Sequence, residues 1–222
     1  MQLQNKYKGK MQLIPILLLS LLTLIFFLLV AWLNRITLTH FAKKAYFRGE
    51  AQWFMHLLYE DQSILDVGSG TGDFAESVHG LIPGSIVCTD IQHQHLGRAP
   101  FVLADGSSLP FPDKSFDTVT MFYVLHHTDQ PDDLLMEASR VSRSKILIHE
   151  DTYKNLFEKI MFTFHVYSFR GIANLSGTSV KTDADWRSLF AEAGLTLKYQ
   201  RLLHKPGYPA TRYEYLLEVP TC

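Results

Sequence analysis

Between Ile64 and Asp73 the chain reads Ile-Leu-Asp-Val-Gly-Ser-Gly-Thr-Gly-Asp: an apolar run, three alternate glycines, then helix-compatible sequence. Glycine takes positive φ without steric cost and lets another group approach the backbone closely. Gly68, Ser69, Gly70 and Gly72 therefore read as a tight link from a strand into a helix, and as a candidate binding loop. The spacing is G-x-G-x-G, whereas the dinucleotide fingerprint is G-x-G-x-x-G and lays a pyrophosphate on the helix N-terminus. Asp66 and Asp73 bracket the glycines, and carboxylates there repel a pyrophosphate but suit a ligand with a cationic end. A phosphate-binding P-loop is excluded as well, because no Lys-Ser/Thr pair follows.

The sequence after the loop repeats the alternation. Ser63–Val67, Ser85–Thr89, Phe101–Ala104, Phe116–Tyr123 and Lys145–His149 are short apolar runs, expected as strands. Helical spacing over Asp73–Leu81 and Pro131–Ser142 falls between them. Continuously apolar strands separated by helices imply an α/β fold, with a mostly parallel sheet covered on both faces. Further on, Phe157, Ile160, Met161 and Phe164 make Lys154–Ser168 an amphipathic helix, Arg170–Lys181 reads as loop, and Asp183–Ala193 is a helix stopped by Gly194. Leu195–Leu203 and Tyr213–Val219 close the chain as strands, with a turn at Lys205–Pro209.

Ligands of open α/β sheets bind at the carboxyl ends of the strands. Those ends carry Asp66 and Gly68, Asp90, Asp105, His126 and His127, and the triplet His149-Glu150-Asp151. A carboxylate at Asp90 suits the two hydroxyls of a ribose, and one at Asp105 can accept from an adenine amino group. Either acid alone is more commonly a turn residue; successive strand ends beside a glycine loop favour a site.

In this order the segments resemble the class I S-adenosylmethionine-dependent methyltransferases, in particular the methyltransferase type 11 group, over about residues 45–219. Leu65–Asp73, Asp90 and Ala104-Asp105-Gly106 are similar to the family's cofactor motifs. Ser108–Asp117, Phe122–His127 and Thr182–Leu195 are similar to its later segments. The resemblance implies a doubly wound, Rossmann-like sheet of seven strands, the last antiparallel, with helices on both faces. It implies S-adenosylmethionine as methyl donor. Asp66, Gly68 and Gly70 would approach its amino-acid end, Asp90 would hold the ribose, Ile91 would pack on the adenine and Asp105 with Gly106 would contact the adenine edge; Ser69, Gly72 and Phe122 complete the implied cofactor-binding set. One departure stands out: Ile91–Pro100 is too short for the helix the family commonly carries between strands two and three.

Ahead of this body lies a different kind of sequence. Leu13–Leu33 is a 21-residue apolar run without a charge, about 30 Å long as a helix and so able to cross a bilayer's hydrocarbon core. A cleaved signal peptide is the competing reading, but the run exceeds the usual apolar region and no A-x-A-like site follows. Of the chain's 21 basic and 22 acidic residues, seven basic and no acidic ones lie in 1–49, leaving 14 basic against 22 acidic in 50–222. Three lysines precede the run, while Arg35, Lys43, Lys44 and Arg48 follow it, which tilts the body to the cytoplasmic side. The expected organisation is a basic flank (1–12), a transmembrane helix (13–33), a juxtamembrane and covering helix (34–61) and a methyltransferase domain (62–222). The acidic body has no electrostatic footprint for nucleic acid, and two cysteines give no disulfide framework.

Methyl transfer from a sulfonium is chiefly a matter of alignment. A general base is needed only where the acceptor is a hydroxyl or a protonated amine, and His126 or His127 is the candidate. His149-Glu150-Asp151 invites a metal reading, but three adjacent strand residues point in different directions, so no metal is expected. The expected function is methylation of a small, lipophilic acceptor, a small molecule or lipid at the membrane that the helix spans, in single-pass topology. Two alternatives remain. An NAD(P)-dependent oxidoreductase on a similar sheet is disfavoured by the loop spacing and by the absence of a Tyr-x-x-x-Lys pair. A catalytically inactive, membrane-tethered binding protein is disfavoured by the intact strand-end acids and glycines.

Overall fold

A computed structural model describes residues 19–22, 44–50, 52–173, 179–203 and 210–220. The chain divides into two compact units, Met1–Phe47 and Arg48–Cys222. In the first, residues 19–22 are helical, with Leu19, Leu21 and Leu22 exposed. No helix among the described residues is long and apolar enough to cross a membrane. Apart from 19–22, the expected span 13–33 lies outside the described residues, as does the turn at Lys205–Pro209.

Residues 44–50 are helical across the boundary between the units, and the second unit continues with a helix over residues 52–58, α1. The order is then β1 (Ser63–Val67), α2 (Asp73–Val78), β2 (Ser85–Asp90), β3 (Phe101–Leu103), β4 (Phe116–Phe122), a 3-10 turn (Leu125–His127), α3 (Pro131–Val141), β5 (Ser142–Thr152), α4 (Leu156–Ala173), α5 (Asp183–Glu192), β6 (Thr196–Leu203) and β7 (Thr211–Glu218). The seven strands form one sheet in the order β3-β2-β1-β4-β5-β7-β6. The first five run parallel, and β7 is antiparallel to both β5 and β6. The sheet is thus mixed, with its one reversed strand last in the chain.

Strand periodicity assigns the two faces. Leu65, Val67, Val119, Met121, Ile146 and Ile148 join one core with Leu134, Leu135, Ala138 and Val141 of α3 and Trp186 and Phe190 of α5. The alternate positions Phe122 and His149 meet Phe54 of α1 and Phe74 of α2, with ring centroids 4.6–5.4 Å apart. Helices therefore cover both faces, and the site-bearing strand ends emerge from a sheet packed on each side.

Three elements differ from the sequence expectation by three residues or more at an end. β5 runs on past His149 because Glu150, Asp151 and Thr152 pair with Tyr213, Arg212 and Thr211 of β7. α2 stops at Val78, ahead of Gly80 at φ 75°. α4 continues to Ala173, into sequence expected as loop. Residues 91–100 form no helix. Instead they fold back over the start of α2: Leu96 N donates to Thr71 O at 3.2 Å, and Arg98 pairs with Glu76 at 3.1 Å.

Candidate functional site

The glycine loop leaves β1 with Gly68, Gly70 and Gly72 all at positive φ (69°, 54° and 82°). They serve different ends. A Cβ on Gly68 would stand 2.5 Å from Val124 Cγ2, and one on Gly72 2.5 Å from His95 Cε1. Those two glycines let the segment after β4 and the 91–100 link close over the loop. At Gly70 nothing lies within 4 Å of an added Cβ. Of the three, Gly70 faces open space, and its glycine answers the backbone angle alone.

The loop is pinned to the end of β2. Ser69 N donates to Thr89 O at 3.0 Å. Gly70 N donates to Asp90 Oδ2 and Gln92 N to Asp90 Oδ1, each at 2.9 Å. A carboxylate offers about four lone-pair positions, so Asp90 keeps capacity on both oxygens for a pair of ligand hydroxyls. Asp66, only 2% exposed, accepts from Thr120 Oγ1 at 2.9 Å. Burial first, opposed by Thr120 but reinforced by the charge of Asp90, raises its pKa to about 7. A buried carboxyl so disposed gains from a cationic neighbour.

The other expected cofactor residues are placed as follows. Ile91 is 57% exposed beside Asp90. Asp105 is exposed, and its Oδ1 accepts from Ser107 N at 3.0 Å in a turn. A Cβ on Gly106 would stand 2.4 Å from Leu134 Cδ1, so α3 packs closely against this glycine. Phe122 belongs to the buried aromatic layer with Phe54, Phe74 and His149. Asp66, Gly70, Asp90 and Ile91 are thus gathered at the ends of β1 and β2. The chemistry of this donor set, two carboxylates and an unobstructed backbone edge, fits S-adenosylmethionine, which carries a ribose diol and a cationic end.

Past the ends of β4 and β5 lies a buried cluster whose members the sequence named but whose pairing it did not announce. His126 is 1% exposed, and its Nδ1 pairs with Glu150 Oε1. Glu150 also accepts from Leu125 N at 2.9 Å and Asp151 N at 2.8 Å. Burial opposes charge on His126, but Glu150, helped by Asp151, outweighs it and holds the imidazole pKa above its ordinary value. The His127 ring lies 4.0 Å from that of His126, centroid to centroid, and Phe162 of α4 stands edge-on to His126 at 5.3 Å.

The neighbouring side chains of β5 turn elsewhere. His149 Nε2 meets Glu214 Oε2 at 2.6 Å, and Glu214 also accepts from Trp53 Nε1 at 2.7 Å and Arg201 Nε at 3.2 Å. Burial, partly offset by Glu214, keeps the His149 pKa below its ordinary value. Asp151 takes Arg212 Nε at 2.6 Å, and that guanidinium lies 4.7 Å from the ring centroid of Tyr123. Tyr123 itself sits at φ 62°, a conformation few non-glycine residues adopt. Three consecutive residues thus have three separate partners, and no metal-holding group of His, Cys, Asp and Glu occurs among the described residues. Sequence reasoning missed Arg212 and Glu214, because only the β5–β7 register brings them to the site.

Residues 65–147 match a family described as a methyltransferase domain. Over 149 residues the chain is 29% identical to the ubiquinone/menaquinone biosynthesis C-methyltransferase of Escherichia coli, covering 60% of this chain and 59% of that protein. The chain therefore spans less than two thirds of that relative's length. A putative methyltransferase from Bacillus halodurans superposes with a TM-score of 0.62 at 17% identity, over 78% of this chain and 99% of that one. The magnesium protoporphyrin IX methyltransferase of Synechocystis, whose structure holds S-adenosylhomocysteine, superposes at 0.59 and 13% identity, over 80% and 85%. The glycine loop and the strand-end acids Asp66, Asp90 and Asp105 all fall within the segment 65–147, which is similar to the methyltransferase domain that this family describes.

Proposed function

We propose that the protein methylates a small, lipophilic, hydroxyl-bearing acceptor at a membrane surface, with S-adenosylmethionine as donor. The observation that carries the reading is the open Gly70 edge between the strand-end carboxylates of Asp66 and Asp90. When bound, S-adenosylmethionine supplies a methyl group already activated on a sulfonium. Asp90 would hold the ribose hydroxyls, Ile91 and Asp105 would border the adenine, and Asp66 with Gly70 would take the amino-acid end.

On the acceptor side His126 acts as general base. Glu150 accepts from Nδ1, which leaves the Nε2 lone pair of the neutral ring to take the acceptor's hydroxyl proton, as in other carboxylate–histidine pairs. The buried setting strengthens that pairing, since few waters compete. The quinone in the name of the Escherichia coli relative supports a lipophilic aromatic acceptor. The uncharged run 13–33 supports a single membrane span that carries the domain to it, with the body on the cytoplasmic side.

Incubation with methyl-labelled S-adenosylmethionine and a membrane lipid extract tests this directly. Label in an extractable apolar product is the expected result. Label confined to water-soluble compounds overturns the lipophilic acceptor, and no cofactor binding by calorimetry overturns the methyltransferase reading itself.

A further inference from the structure

α4 presents two opposite apolar faces. Phe162 is fully buried and Val166 is 1% exposed, and Phe162 packs on His126. On the other side Leu156, Phe157 and Ile160 are 72%, 69% and 58% exposed. At about 100° per residue these three fall within one arc of the helix, turned away from Phe162 and Val166. A monomeric soluble helix would place polar residues there.

The charges beside this arc are not neutral in balance. Glu158 turns its carboxylate inward, accepting from Lys154 N at 2.9 Å and Thr211 Oγ1 at 3.0 Å. Lys154 and Lys159 are exposed, their ammonium groups 5.8 Å and 5.2 Å from the ring centroids of Tyr213 and Tyr153. Exposed Leu and Phe with lysines alongside make the pattern of a helix that lies in a bilayer interface, apolar face in the acyl boundary and cations at anionic headgroups.

We infer that the first turns of α4 dock on an anionic lipid surface and set the domain's orientation there, with the His126 site one helix thickness from the bilayer. The inference rests on the membrane location proposed above. The length of chain agrees with it: only 14 residues, 34–47, separate the run 13–33 from the second unit, so a body anchored through that run stays within reach of the surface. Held that close, a small apolar face is enough to select one orientation, because docking becomes intramolecular. A helix is about 10–12 Å across, so a lipophilic acceptor leaving the bilayer at α4 has little water to cross before it meets His126.

The test uses the full chain carrying Cys222→Ser and Phe157→Cys. The remaining Cys88 is fully buried, so an environment-sensitive NBD label goes to position 157. The protein is reconstituted in phosphatidylcholine/phosphatidylglycerol vesicles, and Met136→Cys, on the exposed side of α3, provides the reference position. Flotation reports the anchor, and quenching by lipid-borne nitroxides reports α4. Several-fold stronger quenching at 157 than at 136, weakened by Lys154→Glu/Lys159→Glu, is the expected result. Flotation with equal or absent quenching at 157 leaves the anchor standing and overturns docking by α4. Failure to float overturns both. Shielding of the label in lipid-free solution that vanishes on dilution assigns the face to a second copy of the chain, and also overturns the proposal.

Discussion

Glu150 and His126, 24 residues apart in the chain, form a hydrogen-bonded pair in which neither side chain is more than 1% exposed. Two backbone donors, Leu125 N and Asp151 N, complete the carboxylate's shell. A buried carboxylate with three N–H partners is fixed in place, and it fixes the tautomer of the imidazole it faces.

That pairing predicts the pH dependence of catalysis. The base must be neutral, and Glu150 holds the His126 pKa above 6.5, so the rate should rise with pH through and beyond neutrality. Glu150→Gln should move the rising limb to lower pH and lower its plateau, whereas His126→Gln should remove the limb. The stability linkage runs the other way. A raised histidine pKa stabilises the fold fully below about pH 6.5 and loses that contribution as pH rises through the folded-state value. Rate and urea midpoint measured over the same pH series check both signs.

Asp66 should report cofactor binding as a proton. Its pKa near 7 means that the free protein holds this proton through the range where the unfolded chain, near 3.8, has lost it. The Asp66 contribution to stability therefore falls as pH rises from about 4 to 7. A cationic ligand end beside it favours the carboxylate, so S-adenosylmethionine binding near pH 6.5 should release protons, and affinity should rise with pH. Calorimetry in buffers of different ionisation enthalpy measures the release, and Asp66→Asn should abolish it.

Asp90→Ala removes a charge-assisted acceptor from the cofactor and from Gly70 N and Gln92 N. We expect a loss of about 1.5–3 kcal/mol in S-adenosylmethionine affinity, roughly tenfold to a hundredfold. Asp90→Asn, which keeps one acceptor oxygen for the loop, should preserve the melting temperature better than the binding. Unchanged affinity in Asp90→Ala would remove Asp90 from the ribose site.

Gly68 and Gly70 should separate in stability. Gly68→Ala meets both a positive φ and Val124 at 2.5 Å, so about 2–4 kcal/mol of destabilisation is expected. Gly70→Ala meets open space and carries only the backbone cost, about 1–2 kcal/mol. Cofactor affinity should show the reverse ranking, with Gly70→Ala intruding on the open edge. Urea denaturation and calorimetry on the same two variants decide it.

The positions of β1, β2, β4 and α3 were legible in the chain because each buries a face whose periodicity is local. The strand-end rule then placed Asp66 and Asp90 together without coordinates, since a parallel sheet collects the carboxyl ends of its strands at one edge. What sequence could not supply was partnership across distant segments. That Glu214 of β7 takes His149 and that Arg212 reaches Asp151 depend on the antiparallel register of β5 with β7, and that His126 faces Glu150 depends on how the turn after β4 sits beside β5. Register is settled by packing of the whole sheet, and a shift of one residue would turn each of these side chains to the opposite face. The same division applies to the glycines: their spacing announced a loop, but only the packed neighbours Val124 and His95 show that Gly70 alone of the three opens outward.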